Sequence, residues 1–197
     1  MRDIRTIMAD KSAHKQRTRE RILAEAARSM RARGPDGIGV AELMKQAGLT
    51  HGGFYAHFKN RDDLVAAAIA RMFEDSKAMV ERHFSAGRPP REALGAMIDY
   101  YLSEGHCRRL DSGCPLAAIG SEAVRLPAAA RDRFQEGFDR FRGAFVEQLS
   151  KLGMDDPEAI ATSVVAELVG ALSLARVTGD TTQLARSREQ IRQRLAL

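Results

Sequence analysis

The chain has 197 residues, 44% of them hydrophobic and 29% charged, with a formal net charge of +5. That composition supports a buried core and excludes disordered, collagen-like and disulfide-built chains, since only Cys107 and Cys114 are available for bridging. No signal-like leader and no uninterrupted apolar run of roughly 18 residues is visible, which predicts a soluble, cytoplasmic protein with reduced thiols and no membrane partner.

The charge is unevenly spread. Residues 1–60 carry 12 Lys and Arg against 6 Asp and Glu, a net of +6, while the remainder carries 19 against 20. A basic head on a near-neutral body suits a polyanion partner, and a solvated basic helix produces the same count.

In chain order, residues 1–11 show no periodicity and are expected to form a flexible arm, with Met1 and Met8 both candidate starts. Apolar residues at helical spacing (Ile22, Leu23, Ala26, Ala27, Met30) predict a helix from Ala13 to Arg33, with Ser12 as its cap. Gly34 and Pro35 end it. A short helix from Val40 to Ala47 follows, with Gly39 at its cap and Gly48 as its breaker. Thr50 then caps a second short helix, His51 to Phe58. Asn60 caps a long helix that keeps its apolar phase from Leu64 to Phe84.

After the loop "SAGRPP", Leu94, Met97, Ile98, Tyr101 and Leu102 predict a helix ending near Gly105. The loop "GHCRRLDSGCP" leads to a short segment from Leu116 to Val124. Pro127 starts a helix carrying Phe134, Phe138, Phe141, Phe145, Leu149 and Leu152, which Gly153 ends. Asp156 and Pro157 open the next helix, which runs to Gly179. Asp180 caps a last one, holding Leu184, Ile191 and Leu195. No strand alternation and no internal repeat is visible, so the chain is expected to be all-α, with about nine helices.

Two short helices joined by a tight glycine turn on a basic background have the form of a helix-turn-helix. Val40, Leu43, Met44 and Ala47 anchor the first. The second offers Thr50, His51, Tyr55, His57 and Lys59 as donors, while Gly52 and Gly53 leave its start bare for close backbone approach to a duplex. Phe54 and Phe58 read as core.

The stretch "TRERILAEAARSMRARGPDGIGVAELMKQAGLTHGGFYAHFKNRDDLVAAAI", and above all "AGLTHGGFYAHFKNRDDL", resembles the DNA-binding head of TetR/AcrR-family transcriptional regulators. The likeness covers about residues 17–69, and the later helices match that family only in number, length and order. After the arm (1–11), it implies a helix-turn-helix domain of three helices (12–60) and a ligand-binding and dimerisation domain (61–197) whose first helix links the two. It also implies a homodimer that binds double-stranded operator DNA and usually acts as a repressor, released by a small-molecule effector. No cofactor is expected, and the five scattered histidines give no metal-ligand spacing. In that frame Thr50 and Gly52 fall where the family meets bases or nearby backbone. Tyr55, His57 and Lys59 fall where it commonly holds phosphates. Gly39 departs from the family's usual Ser or Thr cap and lacks its side-chain contact.

The body is read less directly. Met72, Met79, Met97, Tyr100, Tyr101, Phe134, Phe138 and Phe141 are candidates for an effector pocket, with Met72, Met97, Tyr101, Phe134 and Phe138 foremost, against the plainer reading as core. Cys107 and Cys114, near His106, Arg108 and Arg109 and a helix start, have a setting that favours thiolate and suits a redox or electrophile sensor; buried structural thiols are the competing reading. Ala166, Gly170, Ala171 and Ala175 are small enough for close helix approach at a dimer interface. From a different class, a cysteine-dependent enzyme using Cys107 and His106 lacks an orienting third group and an oxyanion loop, and a helical protein-interaction module without DNA binding stays open.

Overall fold

The computed structural model describes the backbone of residues 4–37, 39–85 and 87–197, with the side chains of all of these except 4–9 and 51. Among the described residues there are nine α-helices and no strand: α1 (Ile4–Arg33), α2 (Val40–Gln46), α3 (Arg61–His83), α4 (Pro90–Tyr101), α5 (Glu104–Arg108), α6 (Pro115–Ile119), α7 (Ala128–Lys151), α8 (Pro157–Thr178) and α9 (Thr182–Arg194). Short 3₁₀ turns occupy Pro35–Gly37, His51–Ala56 and Ala123–Arg125.

Most boundaries follow the local chemistry. Gly34 and Gly48 stand at φ +77° and +70°, a conformation that favours glycine, at the ends of α1 and α2. The Asn60 side chain accepts from Asp63 N–H at 2.9 Å and opens α3. The Asp156 side chain caps α8 through Ala159 N–H at 3.1 Å, with Pro157 in the first turn.

Elsewhere the structure corrects the expected elements. Helix α1 already begins at Ile4, so Ser12 lies inside it rather than at its cap, and residues 4–11 are helical instead of forming an arm. The physical reason is that no Gly or Pro interrupts residues 4–33, so the helix propagates through a segment that has no apolar stripe. Residues 1–3 lie outside the described residues. The second short helix is a 3₁₀ turn over His51–Ala56, with Gly53 N–H donating to Thr50 O at 3.0 Å, because two consecutive glycines weaken α-helical propagation.

The helix expected to end near Gly105 stops at Tyr101, and Ser103 caps a separate α5 by accepting from His106 N–H at 3.1 Å. The segment expected over Leu116–Val124 divides into α6 and the 3₁₀ turn at Ala123–Arg125. Pieces of five and three residues are too short to show a period. Finally, α8 is long and apolar enough to cross a membrane, with a mean hydropathy of 1.6, because its Ser, Thr and Gly residues interrupt the apolar run without making it polar. Its buried face (Val164, Val165, Leu168, Leu172) packs within the chain, against α7 and α9.

The buried residues form one continuous cluster from Ile22 to Leu195. Helix α3 is its spine, packing on α1 at one side and α7 at the other. Gly137 of α7 faces α3 without a side chain, and an added Cβ there would collide with the Phe73 ring. A mid-helix glycine costs about 1 kcal/mol relative to alanine. Here the Phe73 ring occupies the space that a side chain would need. Gly137→Ala is therefore expected to destabilise the protein by about 1–3 kcal/mol in urea unfolding, opposite in sign to the helix-propensity effect.

Candidate nucleic-acid interface and ligand cavity

The helix-turn-helix is assembled on α1. Arg21 donates to Ala47 O at 2.6 Å and holds the glycine turn, and Leu49 N–H donates to Met44 O at 2.8 Å. Phe54 and Phe58 are buried and stacked, with ring centroids 5.5 Å apart, and Arg19 lies over the Phe58 ring at 5.0 Å. With those rings turned inward, Thr50, Gly52, Tyr55 and Lys59 are exposed, Tyr55 at 72%. His57 and Gly53 are half-buried. The His51 side chain lies outside the described residues.

The glycines differ from what a turn would require. Neither has a positive φ, a Cβ on Gly52 would meet nothing within 4 Å, and one on Gly53 would make only ordinary contact with Met44 at 3.6 Å. Nothing among the described residues demands a glycine at position 52. The six-residue 3₁₀ turn is also too short for a large helix dipole, so clearance and side-chain donors carry more of the anion-binding case than the dipole does.

Two further basic residues join this site only in the folded chain. Lys15 and Arg19 of α1 stand near His57, and burial together with these two cations holds its imidazole below the ordinary value. Their spacing of four on one helix is visible in the sequence. Their place beside the second short helix is not.

A cavity of about 210 Å³ lies between α3, α7 and the start of α6. Helix α3 contributes Phe73, Ser76, Lys77, Met79 and Val80. Gly137, Arg140 and Phe141 come from α7, and Cys114 and Pro115 close the end. Of the eight expected pocket residues, Met79 and Phe141 line it and the other six do not. Met72, Met97 and Tyr101 are fully buried core, and Phe134 stacks edge-on against Phe73 at 5.6 Å; Phe138 is partly buried beside the core. The helical stripes are apolar, as their spacing predicts, but which stripe faces a gap depends on how α3 and α7 pack.

Both cysteines are free and buried. Burial pushes the Cys114 thiol above its ordinary value, which corrects the expectation of a thiolate there. The Tyr101 hydroxyl is buried beside that thiol. His106 is committed on both nitrogens. Cys114 N–H donates to its Nε2 at 3.2 Å, so Nδ1 carries the proton and donates to Tyr101 O at 2.8 Å. That geometry leaves no free nitrogen to act as a base on Cys107. On α8, Ala166 is exposed and Gly170 is open on its Cβ side, whereas Ala171 and Ala175 are buried against the chain's own core. The expected set of four is thus split between two faces, and the open face continues with Leu174 and Val177, exposed at 55% and 85%.

Comparison with known proteins decides the family. Residues 22–68 match the model described as bacterial regulatory proteins, tetR family, and residues 90–190 match the model described as transcriptional regulator LmrA/YxaF-like, C-terminal domain. The chain belongs to the TetR family of bacterial transcriptional regulators. The HTH-type transcriptional regulator LmrA of Bacillus subtilis is 24% identical over 85% of this chain and 90% of its own length. An uncharacterized HTH-type regulator of Mycobacterium tuberculosis is 28% identical over 88% and 92%. Among solved structures, the reduced form of NemR from E. coli superposes with a TM-score of 0.81 at 21% identity, covering 89% of this chain and 95% of that one. A TetR-family regulator from Cytophaga hutchinsonii gives 0.83 at 23% identity, covering 93% and 95%. TetR-family members are helix-turn-helix regulators rather than enzymes, which closes the cysteine-dependent enzyme alternative.

The buried imidazole generates a pH prediction. Burial, with Arg176 and Arg109 adding, pushes His106 down to about 4 from its ordinary 6.5. The unfolded chain therefore takes up a proton that the folded one refuses. Stability from this group is complete above pH 6.5 and falls by up to about 3 kcal/mol as the pH drops towards 4. Urea unfolding across that range is expected to show the slope, and His106→Asn to flatten it.

Proposed function

We propose that this TetR-family regulator is a repressor whose dimer binds a palindromic operator and is released by a small molecule held between α3 and α7. On this reading residues 12–60 form the DNA-binding head and residues 61–197 the effector and dimer body. The observation that carries the DNA-binding part is Gly52, bare and open to solvent without any conformational or packing need for glycine. Exposed Thr50, Tyr55 and Lys59 surround it, with Lys15, Arg19 and His57 behind, on a head whose nine Lys and Arg against four Asp and Glu give a net charge of +5. Side chains at the edge of a duplex supply hydroxyl and cationic donors to phosphate, and a bare backbone permits close approach.

The effector part is supported by the position of one turn of α3. Phe73 and Ser76 line the cavity, while the same turn holds α1: Arg31 donates to Met72 O at 2.7 Å and pairs with Asp75 at 3.3 Å. A molecule that displaces this turn therefore acts on the helix that carries the head. The dimer part is supported by the open stripe of α8, where Ala166, Gly170, Leu174 and Val177 recur at steps of three and four.

Two outcomes test the reading. Binding to DNA flanking the protein's own gene is expected to weaken linearly on a log–log salt plot. Gly52→Ala is expected to weaken it by about tenfold or more while leaving the thermal midpoint unchanged or slightly raised, since alanine is the better helix former. Parallel loss of binding and stability would mean that the glycine serves only the fold. Gly170→Arg, placed where nothing of the chain lies within 4 Å, is expected to give a folded monomer in sedimentation with unchanged helical circular dichroism. A dimer that survives this substitution rules out the α8 stripe as the interface.

A further inference from the structure

The cavity between α3 and α7 has an asymmetric chemistry. Its walls are apolar, with Phe73, Val80, Phe141 and Pro115 prominent, and its two charged lining residues, Lys77 and Arg140, are both basic. Among the described residues no carboxylate lines it. Lys77 is loosely engaged by Glu74 at 3.5 Å and Glu81 at 3.8 Å. Arg140 is exposed and makes no hydrogen bond or ion pair among the described residues. It also borders the surface groove that holds Asp132, Arg133 and Glu136, which puts it at the mouth of the cavity. Glu136, the nearest candidate to neutralise it along α7, is taken by Arg133 at 2.8 Å.

We infer that this cavity takes a small amphipathic organic anion, an aryl or alkyl carboxylate, with its apolar body among Phe73, Val80 and Phe141 and its carboxylate on Arg140. The inference rests on the reading of this cavity as the effector site. A guanidinium without a partner at the rim of an apolar slot offers a carboxylate two parallel hydrogen bonds, which an alcohol cannot match. An ammonium ligand would meet two cations and no carboxylate in the cavity lining. The volume of about 210 Å³ lies below the range of roughly 300–1,000 Å³ typical of drug-sized ligands, so the occupant is small.

Titration calorimetry on the full chain with 4-phenylbutyrate, 4-phenylbutanol and 4-phenylbutylamine tests this, because the three share one apolar body and differ in the head group. The carboxylate is expected to bind about tenfold or more tightly than the alcohol or the amine. Arg140→Gln is expected to remove that preference and leave the alcohol's affinity in place, while Arg131→Gln, an exposed cation on the same helix that lines neither the cavity nor the groove, leaves the preference intact. Equal binding of the three, a preference that survives in Arg140→Gln, or no binding by any of them overturns the inference. Binding with the Arg140-dependent preference, but without release of operator DNA, keeps the ligand class and overturns the effector reading instead.

Discussion

Arg31 is a buried cation at the point where α1, α3 and the wall of the cavity meet. Burial lowers its proton affinity, and Asp75 acts in the opposite direction, so the guanidinium needs its partners on α3. It finds them in Met72 O and Asp75, the latter shared with Arg71 at 2.6 Å. Removing a buried charge from its partners is costly. The last turns of α1 are consequently fixed to the middle of α3, and the head carried by α1 inherits its orientation from that contact. A rigid link at this place means that the head and the cavity share one structural element.

The same helix explains the cavity. Phe73 lies against the bare backbone of Gly137, and beyond that contact α3 and α7 leave a gap around Ser76, Val80 and Phe141. A glycine that looks like a weak point in a 24-residue helix is the place that admits the Phe73 ring. At Gly52 the same residue type has the opposite setting, with open space in place of a ring. Space around the missing side chain separates a glycine kept for packing from one that faces outward.

The segment around the cysteines differs most between sequence and structure. Proximity along the chain to His106, Arg108 and Arg109 suggests an activated thiol. In the folded chain His106 is consumed by two backbone groups, Arg176 donates to the carbonyls of Cys107, His106 and Arg109, and Cys114 is buried with a raised proton affinity. Neighbouring residues on a short helix and loop point in different directions, so adjacency in sequence is weak evidence for a chemical pair.

The helical class, the long helices and their caps at Asn60, Asp156 and Gly179 were legible in the sequence, because capping and apolar periodicity act over a few residues. So were the basic head and the inward face of Phe54 and Phe58. The start of α1, the 3₁₀ form of the second short helix and the separate α5 were not, since segments that are short or lack an apolar stripe carry no period. Most of the cavity lining beyond Met79 and Phe141, the split of the α8 small residues between two faces and the place of Lys15 and Arg19 beside His57 were decided by tertiary structure alone. Each depends on which helix lies opposite, and a single helix's pattern tells how much of it is apolar but not what it faces.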